Sequence, residues 1–160
     1  MTEAAAFDPA TLLCQNCIRV GLRVGSLRAL CDAMAKPLAE ATGHDEALIA
    51  EALLQRERVG STAFGGGSAI PHARLSDLPR VVGAFAILET PLPMDALDGE
   101  PVDVVYALLS PDGAGADHLK ALAAVSRLLR DRALVEKLRG AENGDAAHAL
   151  LSAQGWSADG

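Results

Sequence analysis

The 160-residue sequence predicts a single-domain α/β protein, a small, mixed but mostly parallel β-sheet of about five strands with helices on both faces. Three observations predict it. Strand-like and helix-like hydrophobic periods alternate along the chain. Two strand-length runs, 81–88 and 102–109, are apolar almost throughout, as strands covered on both faces are. Half of the residues are apolar, yet the aromatic ones reduce to Phe7, Phe64, Phe85, Tyr106 and Trp156, so the core must be aliphatic. The length suffices for one such core and is short for two.

Taken in order, residues 1–10 are expected to be a loose end, 11–155 the domain, and 156–160 a second loose end. Residues 11–16 suit a short helical turn. From 18 to 24 the chain alternates, with Ile18, Val20, Leu22 and Val24 on one face and Arg19 and Arg23 on the other, which is a half-buried strand. Ser26 is placed to cap a helix carrying Leu27, Leu30, Cys31, Met34, Leu38 and Ala41. Pro37 must kink or split it, and Gly43 ends it. A second helix is predicted over 45–58, with Leu48, Ile49, Ala52 and Leu53 buried and Gly60 as the stop.

A glycine-rich segment with no regular structure follows, and 69–72 can be a short strand. The two apolar strands come next, separated by a connection holding Pro91, Pro93, Gly99 and Pro101. Asp117 is expected to cap a third long helix. Asp131 and Gly140 bracket a short one, and a last helix spans 144–153.

Charge and composition exclude several classes. The formal net charge of −7, with no Lys/Arg cluster, argues against nucleic-acid binding and against docking on anionic membrane. No apolar run approaches bilayer length, and no signal peptide is visible, so the cytoplasm is the expected location and no membrane insertion is expected. Cys14 and Cys17 have the C-x-x-C spacing, but no second ligand pair follows and no helix start of thioredoxin type surrounds them, so they are expected to be ordinary reduced thiols.

The chemistry concentrates around Gly65-Gly66-Gly67-Ser68-Ala69-Ile70-Pro71-His72. Consecutive glycines can turn several N–H groups into one concavity that holds an anion, although flexible loops share the pattern. Neither the dinucleotide fingerprint nor a nucleotide P-loop is present. Pro71 stiffens the chain before His72, whose neutral imidazole is a nucleophile able to carry a phosphoryl group. The alternative is a surface histidine in a mobile loop. Arg56 and Arg58, read alone, are helix-terminal charges, and Arg74 is a solvated one. Metal binding through His72 and His118 lacks any recommending ligand spacing, so no metal and no cofactor are expected.

Together with Arg56-Glu57-Arg58-Val59-Gly60-Ser61-Thr62 upstream, and with the segments 94–103, 107–109 and Asp117-His118-Leu119 downstream, the motif resembles the mannitol/fructose-type enzyme IIA of the bacterial phosphotransferase system, nearest to its nitrogen-regulatory branch. The resemblance spans roughly 11–153, with Gly66 and Ser68 as small departures. It implies an enzyme IIA mannitol-like fold. It implies that His72 accepts phosphate through Nε2 from an HPr-like phosphocarrier protein, beside Arg56 and His118, with Gly65, Gly66, Gly67 and Ser68 as phosphate-binding amides. The implied partners beyond that donor are regulatory targets, such as a transporter or sensor kinase, or a IIB domain if the chain is instead a sugar-specific IIA. A phosphorylation-independent binding module is the reading from a different class.

Overall fold

The computed structural model describes residues 8–153, so the expectations for 1–7 and 154–160 lie outside it. The elements run α1 (Pro9–Leu12), β1 (Leu13–Leu22), α2 (Leu27–Thr42), α3 (Glu46–Val59), β2 (Ala63–Gly65), β3 (Ser68–Ala69), β4 (His72–Leu75), β5 (Val82–Leu92), β6 (Val102–Pro111), α4 (Ala116–Leu129), α5 (Arg132–Arg139) and α6 (Gly144–Ser152). The sheet order is β1-β5-β6-β3-β2, with β4 also paired to β6. The β1/β5, β3/β6 and β4/β6 ladders are parallel, whereas β5/β6 and β2/β3 are antiparallel. The mixed, mostly parallel sheet expected from the sequence is present, with six strands among the described residues rather than about five.

Alternation along the two central strands builds two cores. Val82, Ala84, Ala86 and Leu88 of β5, with Val105, Ala107 and Leu109 of β6, join Leu30, Met34, Leu38, Ile49 and Leu53 of α2 and α3. The other pleat, Phe85 and Ile87 with Val104, Tyr106 and Leu108, joins Val125, Leu128, Leu138 and Leu151 of α4, α5 and α6. Both faces of the central pair are covered, which is why those strands read as continuous apolar runs.

Local signals explain most boundaries. Ser26, Asp45, Asp131 and Asn143 each accept a backbone N–H at a helix start, and Gly43 ends α2 in the left-handed region. Several expectations need correction. The helix α2 is not split: it runs through the buried Pro37, losing one backbone donor. Leu48 is exposed, because the buried stripe of α3 is rotated onto Ile49, Ala50, Leu53, Leu54 and Glu57. Asp117 does not cap α4: its N–H already donates to the Ala114 carbonyl (2.8 Å), so the first turn closes earlier, at Gly115, with no side-chain cap.

The first strand also differs from its expected form. It begins at Leu13 and carries a bulge between Leu13 and Ile18 in its register on β5, with Asn16 at φ 63°. Within that bulge Cys14 and Cys17, expected as separate thiols, are brought together with Cα atoms 5.2 Å apart, a separation that a disulfide can span.

The glycine segment is not structureless but forms the β2–β3 hairpin. Gly65, Gly66 and Gly67 all have positive φ. Arg139 clamps the turn: its Nε and Nη2 bond the Asp103 carboxylate at 2.9–3.1 Å, and Nη2 also donates to the Gly66 carbonyl at 2.9 Å. A Cβ on Gly67 would lie 2.3 Å from that Nη2. Beside it, the buried Ser68 Oγ has no hydrogen-bond partner among the described residues. Gly67→Ala is therefore expected to cost about 1–3 kcal/mol of stability, and Ser68→Ala to be neutral or to gain up to about 1 kcal/mol, both read from urea unfolding midpoints. A destabilised Ser68→Ala chain would show that the hydroxyl is partnered in solution.

Candidate active site

The site is built at one edge of the sheet, where the two helical layers meet. The strand β4 lies along β6, with His72 opposite Leu108 and Arg74 opposite Ser110. Ala73 and Leu75 point into the α2/α3 core. His72 and Arg74, two residues apart, therefore share the other side of the pleat. From α3, Ala52 and Arg56 present one face at helical i, i+4 spacing, and α4 delivers His118 in its first turn. Ala52, Arg56, His72, Ala73, Arg74 and His118 line one open cavity of about 380 Å³.

The orientation of His72 is fixed by its own chain. Its Nδ1 lies 2.7 Å from the Ile70 carbonyl, which can only accept, so Nδ1 carries the proton and Nε2 keeps a lone pair. The carbonyl is held in turn. Ile70 N–H donates to the Thr62 carbonyl (3.4 Å), Leu108 N–H donates to the Pro71 carbonyl (2.9 Å), and Pro71 restricts the backbone between them.

His118 is only 5% exposed, and its Nδ1 lies 2.6 Å from the hydroxyl of the fully buried Ser110. The two imidazole centroids are 5.4 Å apart, with the rings inclined by 51°. Arg56 is anchored at the end of its helix, where Nη1 donates to the Gly60 carbonyl at 2.8 Å.

Both imidazoles are biased toward the neutral form. Burial holds His72 below the ordinary histidine value, the Ile70 carbonyl opposes this, and the Arg56 charge adds to the depression. Burial likewise lowers His118, assisted by Arg74, His72 and Arg56. The cavity thus offers an unprotonated ring nitrogen among two guanidinium groups and a second neutral imidazole. That set can attack an electrophilic phosphorus and balance the charge on its oxygens. Among the described residues no group of three or more His, Cys, Asp or Glu is placed to hold a metal ion.

Of the residues singled out from the sequence, His72, His118 and Arg56 come together. Gly65, Gly66, Gly67 and Ser68 do not. Ser68 pairs with Val104 and His72 with Leu108, four positions along the same strand, about 13 Å away. The Gly66 N–H, at 2.9 Å, is taken by the Asp98 carboxylate, whose acidity that bond and the Glu100 N–H enhance. A glycine turn looks the same in sequence whether its amides face an anion from solution or an aspartate of the same chain.

Two residues were not singled out. Arg74, read from sequence as a solvated charge, lines the cavity, and the period-two spacing from His72 was the signal that could have found it. Ser110 was hidden, since nothing in an apolar strand marks one hydroxyl as a histidine partner.

The fold and cavity together define a class: a three-layer α/β domain whose sheet edge gathers two histidines and two arginines around one open cavity. Residues 11–154 match the family described as the phosphoenolpyruvate-dependent sugar phosphotransferase system, EIIA 2, and the chain belongs to that family. A nitrogen regulatory protein of Bradyrhizobium diazoefficiens is 45% identical over 141 residues, covering 88% of this chain and 92% of that one. The nitrogen regulatory protein of Escherichia coli K12 is 33% identical over 144 residues, covering 89% and 88%. Among solved structures, nitrogen regulatory protein IIA-Ntr from Neisseria meningitidis superposes with a TM-score of 0.81 at 31% identity, over 89% of this chain and 97% of that one. The IIA mannitol protein of Escherichia coli shares the fold, with a TM-score of 0.72 at 18% identity, over 84% and 95%.

The depressed histidines make stability depend on pH. A histidine whose folded-state value lies below its unfolded value takes its proton more readily in the unfolded chain. Its contribution is intact above about 6.5 and is lost as pH falls below that. The urea midpoint is expected to drop between about pH 7 and about pH 5, and the double variant His72→Gln, His118→Asn to flatten this slope. An unchanged slope in the variant would contradict the two shifts.

Proposed function

We propose that this chain is a phosphohistidine phosphocarrier of the phosphotransferase system, acting mainly as a regulatory component of the nitrogen type. The observation that carries this is the Nδ1-to-carbonyl bond of His72, which leaves Nε2 free beside Arg56 and His118. Nε2 attacks the phosphoryl group of a phosphohistidine on an HPr-like donor, in line with the departing donor nitrogen. The new N–P bond forms as the old one breaks. Arg56 and Arg74 neutralise charge on the three phosphoryl oxygens, and His118 supplies a further polar contact. The chemistry calls for no metal and no nucleotide.

The regulatory assignment is supported by relatives named nitrogen regulatory protein that match over most of both chains. In this reading the chain works in the cytoplasm and signals by binding a regulatory target protein, such as a transporter or sensor kinase. Among the described residues no helix is long and apolar enough to cross a membrane. The alternative is transfer onward to a IIB domain in sugar uptake. It is supported by relatives named for fructose-specific components, 35% identical over 102 residues in Haloferax volcanii and 32% identical over 136 residues in Bacillus subtilis.

With phosphoenolpyruvate, enzyme I and an HPr-like carrier, one acid-labile phosphate per chain is expected by intact mass. His72→Ala should abolish it. Arg56→Ala and His118→Ala should each slow acceptance by about 10–10³-fold. Arg74→Ala should slow it less, and Arg58→Ala not at all. The acceptance rate should stay flat down past the ordinary histidine value of about pH 6.5 and fall only further below it, where Nε2 of the depressed His72 is protonated. Undiminished labelling of His72→Ala would refute the site, and output to a target surviving that change would favour binding alone.

A further inference from the structure

Two cysteines lie at the edge of the sheet opposite His72. Residues three apart in a regular strand are about 10 Å apart and point to opposite faces. Cys14 and Cys17 have Cα atoms only 5.2 Å apart, because the bulge in β1, with Asn16 in the left-handed region, folds the chain back on itself. That separation is one a disulfide spans readily.

The pair sits on a strand at the sheet edge. Leu13, just before the bulge, shares one cross-strand row with Gly83, Leu108 and His72, which puts three strand spacings, about 14 Å, between this place and the phosphoryl site. Metal binding does not explain the pair, since no third ligand joins it among the described residues. Stapling the fold explains it poorly, because closing so short a loop constrains the unfolded chain less than closing a long one. The two sulfurs also differ in access: Cys14 is half-buried, whereas Cys17 is 1% exposed.

We propose that Cys14 and Cys17 form a thiol–disulfide exchange site that takes its oxidising equivalents from a small or protein disulfide of the glutathione class. Cys14, the accessible thiol, attacks the incoming disulfide as its thiolate, forming a mixed disulfide and releasing one thiol. The Cys17 thiolate then attacks the Cys14 sulfur, the mixed bond breaks, and the second thiol leaves. Two protein thiols are oxidised to one disulfide, one external disulfide is reduced to two thiols, and the protein's two thiol protons go to them. Reduction runs the same steps backwards, beginning at Cys14. Cys31 takes no part: it is buried on α2, and burial pushes its thiol up to about 12.

The test is a thiol count and intact mass on the native protein, equilibrated first with excess dithiol and then with oxidised glutathione. All three cysteines should titrate after unfolding of the reduced form. Only Cys31 should remain in the oxidised form, which should be lighter by two hydrogen atoms, free of intermolecular disulfides, and restored by dithiol without unfolding. Cys17→Ser should stall as a single glutathione adduct on Cys14, and Cys14→Ser should stay unmodified. His72→Gln should behave as the parent does, so the result stands apart from the phosphoryl reading. Three thiols persisting in oxidised glutathione, a disulfide that native dithiol treatment cannot open, or stoichiometric zinc on the reduced chain would each overturn the proposal, and the parent measurements decide it even where a variant fails to fold.

Discussion

The site depends on one hydrogen bond, from His72 Nδ1–H to the carbonyl of Ile70 two residues before it. An imidazole has two nitrogens, and in the neutral ring only one carries a proton. Committing that proton to a backbone acceptor decides which nitrogen is nucleophilic and which way it faces. The acceptor cannot move away, because the segment between Ile70 and Pro71 is tied to Thr62 on one side and to Leu108 on the other. The proline contributes stiffness at the position where a reorienting backbone would otherwise release the ring.

That arrangement works only at a sheet edge. A central strand would bury the ring under a helix, as it does Phe85 and Tyr106. The short β4 covers only the end of β6, and this leaves room for α3 to bring Arg56 from one layer and α4 to bring His118 from the other. The partial burial that results has an electrostatic consequence. The same loss of solvent that lowers the proton affinity of both imidazoles strengthens the attraction of two arginines for a doubly charged phosphoryl group. In the proposed relay, acceptance and retention of the group would both come from this one feature of the fold.

Much of this was legible in the sequence. The two apolar strands, the caps at Ser26 and Asp131, and the proline before His72 are local signals, and local physics carries them into the structure. The grouping of His72, Arg56 and His118 was legible through resemblance, since no spacing rule brings together residues from a strand and two helices. What failed was non-local. The glycine turn was read as an anion cradle because its partners, Asp98 and Arg139, lie far along the chain. The role of Ser110 depends on β6 passing beneath α4. The closeness of Cys14 and Cys17 is local, but it depends on a bulge, and bulges leave little trace in hydrophobic periodicity.

Membership of the enzyme IIA family accounts for the architecture, and the geometry around His72 says which atom should do the chemistry. The most direct measurement is the phosphorus and nitrogen NMR of the phosphorylated, ¹⁵N-labelled protein, which distinguishes the two ring positions by their coupling to phosphorus. Phosphorus bonded to Nε2 of His72, with Nδ1 still protonated, is the predicted result. Phosphorus on Nδ1, or on any other side chain, would contradict the account.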